Sequence, residues 1–341
     1  MKRRHMLSGL GFAALHPLVF AQGQPRTLPD GRAAKPARGA AKLNFGLITP
    51  RNAEQTLKNW GPFLDRMGTA VNADIARTTY ASQGELVKDF MEGRLDMAWL
   101  GNAPALDIVE AGKASIFAAM VVQGKTAYRS LLLTHRDSNI RTLEDVHRNA
   151  GQLVFGDGDV KSTSGHIVPR YFAFVKRGIN DPDRLFKEVR RASHEGNAQA
   201  LIKREVDVAT NNTSELDNFK TNNPTEAALL RVVWESPDIP ESPLIWRNDL
   251  PPALKTKIAT FISAFGQSDP EEKGILWNIN KLTAFRKSDN RQLITIADLE
   301  MFNARQRVTN DTKLSSSERA TMVEDITRRG SKLELMLKRS I

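Results

Sequence analysis

Between residues 43 and 265, short apolar runs alternate with stretches of helical period. Residues 43–48, 74–77, 96–100, 116–122, 130–134, 153–155, 186–189, 206–209, 230–234 and 244–246 read as strands. Residues 54–67, 85–91, a stretch from Ala103, and 165–176, 197–203 and 252–265 read as helices. This alternation predicts an α/β fold with parallel sheets covered by helices on both faces. In such sheets ligands bind beyond the carboxyl ends of the strands. A last helical element spans 315–341, where Met322, Ile326, Leu333 and Leu337 lie roughly on one stripe and Gly330 is a weak point. The stripe can pack on its own body or on a second copy of the chain.

Composition narrows this picture in two ways. There is no cysteine among the 341 residues, which removes disulfides, thiolate metal sites and thiol nucleophiles. The net charge of +10 suggests nucleic acid until its distribution is read: residues 1–21 carry +3 and residues 22–42 carry +4, leaving +3 for the whole body. The basic start is of another kind. Lys2-Arg3-Arg4, the mostly apolar Leu7 to Phe20 and the small residue Ala21 have the order of an export signal, 1–21, cleaved before Gln22. The apolar run is too short to span a membrane. Residues 22–41, rich in Gly, Pro and Ala, read as a disordered leader. The mature protein is then expected in the periplasm or outside the cell.

The run Ser162-Thr163-Ser164-Gly165, inside GDGDVKSTSGHIVP, follows a strand and opens a helix. Unpaired N–H groups, a partial positive charge and three hydroxyls there make a site for an oxyanion. The alternative is that Ser162 or Ser164 simply caps the helix. The segment is not a P-loop, because Lys161 precedes the hydroxyls and no Gly-Lys pair exists. Asp157 and Asp159 lack the rest of a calcium loop, so a Gly/Asp turn is the better account and no metal or cofactor is expected. His194, at a helix start in ASHEGNAQAL, can donate to an anion or be an ordinary surface histidine. A Ser164–His194–Asp207 triad is possible on paper, but the G-x-S-x-G elbow is missing. Tyr80 and Tyr128 stand where strands meet loops, as half-buried core aromatics also do.

Six ordered segments, DMAWLGN (96–102), FGDGDVKSTSGHIVPRYF (155–172), SHEGNA (193–198), VDVATNNT (206–213), SPDIPESPLIW (236–246) and WNINKLTAFRKSDN (277–290), together resemble the periplasmic phosphonate-binding proteins of bacterial ABC uptake systems. The resemblance runs from about Leu43 to Asn290 and implies a two-lobe, type II Venus-flytrap fold with a C-terminal helical tail. It places lobe 1 at 42–132 plus 245–310, lobe 2 at 133–244 and the tail at 311–341. It implies capture of a phosphonate, phosphite or similar phosphorus oxyanion for an ABC permease, without catalysis. Another oxyanion, such as phosphate or a sulfonate, and an enzyme on the same fold are the alternatives. A homodimer through the tail is a further expectation.

By the same resemblance Ser162, Thr163, Ser164 and His194 hold the phosphonate oxygens, and Tyr80 and Tyr128 face the ligand from the first lobe. Two acids that pair with a ligand ammonium in relatives taking up 2-aminoethylphosphonate are replaced by Ser214 and Ser242, which then join the ligand-binding set. Glu215 and Glu241 each lie one residue away, and one residue turns a helical side chain by about 100°. Leu100 stands where close relatives carry an aromatic. A ligand without an amine is therefore expected to bind more tightly.

Overall fold

The computed structural model describes residues 41–49 and 52–339, so the expected signal, and the leader up to residue 40, lie outside the described residues. The strands are β1 (Ala41–Ile48), β2 (Ala73–Tyr80), β3 (Met97–Trp99), β4 (Ala114–Val122), β5 (Ala127–Tyr128), β6 (Ser130–His135), β7 (Val154–Asp157), β8 (Glu188–Arg191), β9 (Val208–Asn212), β10 (Leu230–Glu235), β11 (Ile239–Pro240), β12 (Pro243–Arg247) and β13 (Leu282–Lys287). The α-helices are α1 (Ala53–Val71), α2 (Gln83–Met91), α3 (Asn102–Glu110), α4 (Leu143–Asn149), α5 (Pro182–Leu185), α6 (His194–Ile202), α7 (Thr213–Asn222), α8 (Pro224–Ala227), α9 (Pro252–Ala264), α10 (Pro270–Asn278), α11 (Ile294–Asn310) and α12 (Ser316–Arg339).

Two sheets organise the chain, in the orders β13-β4-β12-β3-β1-β2 and β10-β6-β9-β7-β8. Both are mixed. β1 pairs in parallel with β2 and β3, and β7 with β8 and β9, as the strand–helix alternation predicts. β12 and β13, however, join β4 antiparallel, and β6 is antiparallel to both β9 and β10. The expectation of purely parallel sheets is corrected here: the chain leaves the first sheet after β4 and returns to it at β12, without a helical crossover to set the direction. The two crossings themselves pair, β5 with β11, as a short antiparallel ribbon between the sheets.

Each sheet has its own core. Phe45, Trp60, Phe63 and Leu244 lie in the first, and Phe155, Phe174 and Phe186 in the second. The tail folds back on the body. Leu333 and Leu337 of α12 are buried in the first core, Gly330 meets Met301 of α11, and Arg329 forms an ion pair with Glu110 of α3. Met322, on the same stripe, remains exposed and Ile326 is half-buried.

The expected helix at 165–176 is present as a continuous helical segment over residues 163–177, but it is wound mainly as π-helix, at Thr163–Ile167 and Arg170–Phe174. Pro169 explains part of this: it has no N–H for the carbonyl of Gly165, and the ring crowds that position. The carbonyl is taken by the N–H of Gly158 at 3.0 Å. A Cβ on Gly158 would stand 2.7 Å from the Gly165 backbone, so only glycine lets the loop approach the helix start so closely. π-Turns of this kind recur at functional sites.

Candidate functional site

A cavity of about 540 Å³ lies between the two sheets, at the ends where their parallel strands give way to helices. Residues at five helix starts line it: Ser82 to Gly84 at α2, Gly101 at α3, Ser162 to Ser164, Ser193 and His194 at α6, and Asn212, Ser214 and Glu215 at α7. Each start adds unpaired N–H groups and partial positive charge, so the wall favours an anion. Most of these starts are capped from their own sequence. Ser82 accepts from Gly84 N–H, Ser162 from Gly165 N–H, Ser193 from Gly196 N–H and Asn212 from Glu215 N–H. Helix α3 is different, because its cap residue Gly101 has no side chain to offer.

Thr163 supplies what Gly101 cannot. Its hydroxyl, on a side of the chain belonging to the second sheet, accepts the Ala103 N–H at 2.8 Å. Thr163 is only 2% exposed. The three hydroxyls of the run therefore do three jobs. Ser162 caps its own helix, Thr163 caps the helix across the cleft, and Ser164 faces a donor cluster. Ser164 Oγ lies 3.1 Å from His194 Nε2 and accepts from Asn212 Nδ2 at 3.2 Å, while Ser130 Oγ fixes the Ser164 carbonyl at 2.6 Å. The segment is pinned from below by Asp157 at the end of β7. His166 and Arg170 each reach its buried carboxylate at 2.8 Å. Burial opposes ionisation of Asp157, but His166 and Arg170 together hold its carboxyl below the usual range.

The titratable groups around the cavity are set by burial. His194 is pushed down to about 4 because it is buried, with a hydrogen bond to the Thr210 backbone opposing the shift. At neutral pH it is a neutral imidazole with one N–H donor. Tyr128 is pushed up by burial and by the charge of Glu241, so its phenol keeps its proton as a donor. Lys161 and Arg191 stand on the rim, and both are occupied: Lys161 Nζ binds Asp107 at 2.6 Å, and Arg191 reaches Asp183 at 3.4 Å.

Of the residues expected from the sequence, Tyr128, Ser162, Thr163, Ser164, His194, Ser214 and Ser242 line the cavity. Tyr80 does not. It closes β2, is buried, and donates its hydroxyl to Asp89 of α2 at 2.7 Å, so its polar end is satisfied away from the cleft. Glu215 and Glu241, set aside in the sequence for being one position off, both line the cavity. Glu241 is 5% exposed and lies in the turn between β11 and β12. Asn102 Nδ2 holds the Pro240 carbonyl at 2.8 Å, and Glu241 N–H donates to the Thr126 carbonyl at 3.1 Å. Both serines serve this carboxylate: Ser214 Oγ donates to Oε1 at 3.2 Å, and the Ser242 N–H to Oε2 at 3.4 Å. Burial nevertheless raises Glu241 to about 7, and Glu215 adds to the rise. A buried carboxylate supported only by neutral groups is a place for a cation. Other lining residues, among them Gln83, Trp99 and Asn280, carried no local signal in the sequence.

The comparisons with known proteins agree with this geometry. Residues 45–293 match the family described as periplasmic substrate-binding proteins of phosphonate ABC transporters. The phosphonates-binding periplasmic protein of Escherichia coli K12 is 36% identical over 289 residues, 83% of each chain. The crystal structure of a binding-protein component of an ABC phosphonate transporter from Pseudomonas aeruginosa superposes with a TM-score of 0.80 at 35% identity, covering 88% of this chain and 98% of that one. PhnD1 of Prochlorococcus marinus, solved with methylphosphonate, shares the fold, with a TM-score of 0.67 at 19% identity over 76% of this chain and 96% of its own.

Proposed function

This chain belongs to the family of periplasmic phosphonate-binding proteins of ABC transporters, and we propose from that premise how its cleft selects a ligand. It is a solute-binding protein of the two-lobe type II fold, not an enzyme, and it serves uptake of phosphorus oxyanions by an ABC transporter. The export signal at 1–21 and the lobe boundaries read from the sequence belong to the proposal.

The phosphonate sits against Ser164, Tyr128 and the start of the 163–177 helix, with His194 beside it; the neutral imidazole gives its one N–H to the Thr210 backbone and takes up a second proton to donate to the anion. Charge-assisted hydrogen bonds to an oxyanion are about twice as strong as neutral ones. Thr163 couples this to closure. Its oxygen accepts from Ala103 across the cleft while its own proton is left to donate to the anion. Lys161–Asp107 and Ser82–Asp159, at 3.4 Å, are further contacts across the same cleft. Opening the lobes breaks all three, so a ligand that ties Thr163 to the anion favours the closed state.

The observation that carries the choice of ligand is the buried carboxyl of Glu241 in the same cavity as the anion-donor cluster. A zwitterion, with phosphonate at one end and ammonium at the other, satisfies both. This reverses the sequence-based expectation of an amine-free ligand. Ser214 and Ser242 act through Glu241 by holding its carboxylate. Competition calorimetry tests the proposal: 2-aminoethylphosphonate is expected to bind at least tenfold tighter than methylphosphonate, about 1.4 kcal/mol. Equal or reversed affinities would refute it. Of the stripe read from the sequence, a homodimer through the tail would have Met322 and Ile326 left to bury, together with the exposed Leu335, since Leu333 and Leu337 are spent on the body.

A further inference from the structure

Next to the main cavity lies a second one of about 240 Å³, and the two share Trp99 and Asn280. It too is walled by both halves of the molecule: Asn52, Gln55 and Asn59 at the start of α1 face Phe219, Asn222 and Asn223 at the end of α7. Side-chain amides dominate its polar lining. Its one carboxylate is Glu195, and among the described lining residues there is no lysine, arginine or histidine. Its floor is aromatic, with Trp60 and Trp99 5.1 Å apart at 34°. Trp99 is 6% exposed, and its Nε1–H has no hydrogen-bond partner among the described residues.

The annex continues the ligand path. On α7, Glu215 lines the main cavity, while Phe219 and Asn222 line the annex. These positions are four and seven residues on from Glu215, so they share one helix face and span about 10 Å. Asn280 and Lys281 at the junction both hold positive φ, +52° and +57°. For non-glycine residues this conformation persists only where the surroundings impose it, and such residues cluster at ligand clamps. Lys281 Nζ is tied to the Asp217 carbonyl of α7 at 3.0 Å, which fixes the junction to the opposite wall.

We infer that the annex is a subsite for a neutral, multiply hydroxylated group carried on the amino end of an aminoalkylphosphonate; the inference rests on the ligand placement proposed above. The chemistry selects the group. The amides of Asn52, Gln55 and Asn59 are partly tied up within α1, but an apolar tail would strand those of Asn222 and Asn223 without water, an anionic tail would find no cation among the lining residues, and hydroxyls can both donate to and accept from carboxamides while their carbon face packs on Trp99.

Calorimetry with four probes tests this: methylphosphonate, 2-aminoethylphosphonate, its N-(2,3-dihydroxypropyl) derivative and the N-propyl isostere. Both N-substituted probes keep a cationic amine. The diol is expected to bind at least tenfold tighter than the propyl compound. Replacing Asn222 and Asn223 together by alanine should erase that preference and leave methylphosphonate affinity unchanged, since neither side chain makes a hydrogen bond among the described residues. A diol that binds no tighter than the propyl compound overturns the inference alone, as does a preference that survives in the double variant. So does a loss of more than tenfold for both N-substituted probes relative to 2-aminoethylphosphonate. If 2-aminoethylphosphonate binds no tighter than methylphosphonate, or neither binds, the main-site reading fails and the inference falls with it.

Discussion

Replacing Glu241 by glutamine should move stability and affinity in opposite directions. Burial raises the Glu241 carboxyl from 4.5 to about 7, with the Ser242 N–H and Ser214 hydroxyl offsetting only part of the cost. Ionising such a group above pH 7 costs the folded, ligand-free protein roughly 3 kcal/mol, at 1.36 kcal/mol per pKa unit. The sign follows from linkage: the folded pKa of this acid lies above its unfolded value. The penalty is therefore absent below about pH 4.5, grows from there to pH 7 and stays constant above. Glutamine removes the charge and keeps an oxygen for Ser214. Glu241→Gln should thus stabilise the ligand-free chain by roughly 1–3 kcal/mol at pH 8, raising its melting temperature by about 2–4 °C per kcal/mol. At pH 4.5 the gain should vanish. Binding of 2-aminoethylphosphonate at pH 8 should weaken by at least about 2 kcal/mol, near thirtyfold, because the ammonium loses its buried partner. Methylphosphonate should bind as well as before. Thermal melts at both pH values and calorimetry with both ligands give the answer. A variant that is no more stable than wild type at pH 8, or a gain that is the same at pH 4.5, refutes the reasoning.

Three further outcomes are expected. Thr163→Val, which removes the hydroxyl shared by Ala103 and the anion, should cost about 1.5–3 kcal/mol of methylphosphonate binding and blunt the ligand-induced drop in radius of gyration seen by X-ray scattering. Thr163→Ser should restore both, and a valine variant with wild-type affinity would remove Thr163 from the site. His194, at about 4 in the free protein, should be neutral at pH 6 by nitrogen NMR and titrate at higher pH once methylphosphonate is bound, because an adjacent anion favours the imidazolium; an unchanged titration counts against contact. A chain ending at Asn310 should lose the burial of Leu333 and Leu337, about 1.5–3 kcal/mol each. Intact and truncated chains should both sediment as monomers, and a dimer confined to the intact chain would assign the tail to self-association instead.

Much of this fold is written in local pattern. The runs at 43–48, 96–100 and 153–155 became strands because each is a short apolar stretch followed by a helix that covers it. Strand direction was not legible for β12, which returns from the other half of the molecule, since no local residue records where a neighbouring strand comes from. The site divides the same way. Ser162 to Ser164 and His194 were legible because a helix start after a strand is a local signal. The partner of Thr163 lies 60 residues away, and the sequence holds no trace of it. Tyr80 was misplaced because its neighbour Asp89 arrives only when α2 packs back on β2. Glu241 was discounted by a rule for helices, yet it sits in the turn after β11, where the 100° step does not apply and the turn is held by the Asn102 side chain on the Pro240 carbonyl and by the Glu241 N–H on the Thr126 carbonyl.

The proposal to test is that one cleft holds the phosphonate at the 163–177 helix start and the ammonium at Glu241. A crystal structure of the protein with 2-aminoethylphosphonate tests it most directly. The account predicts phosphonate oxygens within about 3.2 Å of Ser164 Oγ and a His194 ring nitrogen, with the amine nitrogen equally close to the Glu241 carboxylate. A ligand bound in the reverse orientation, or with its amine turned to solvent and Glu241 left unpaired, would contradict it.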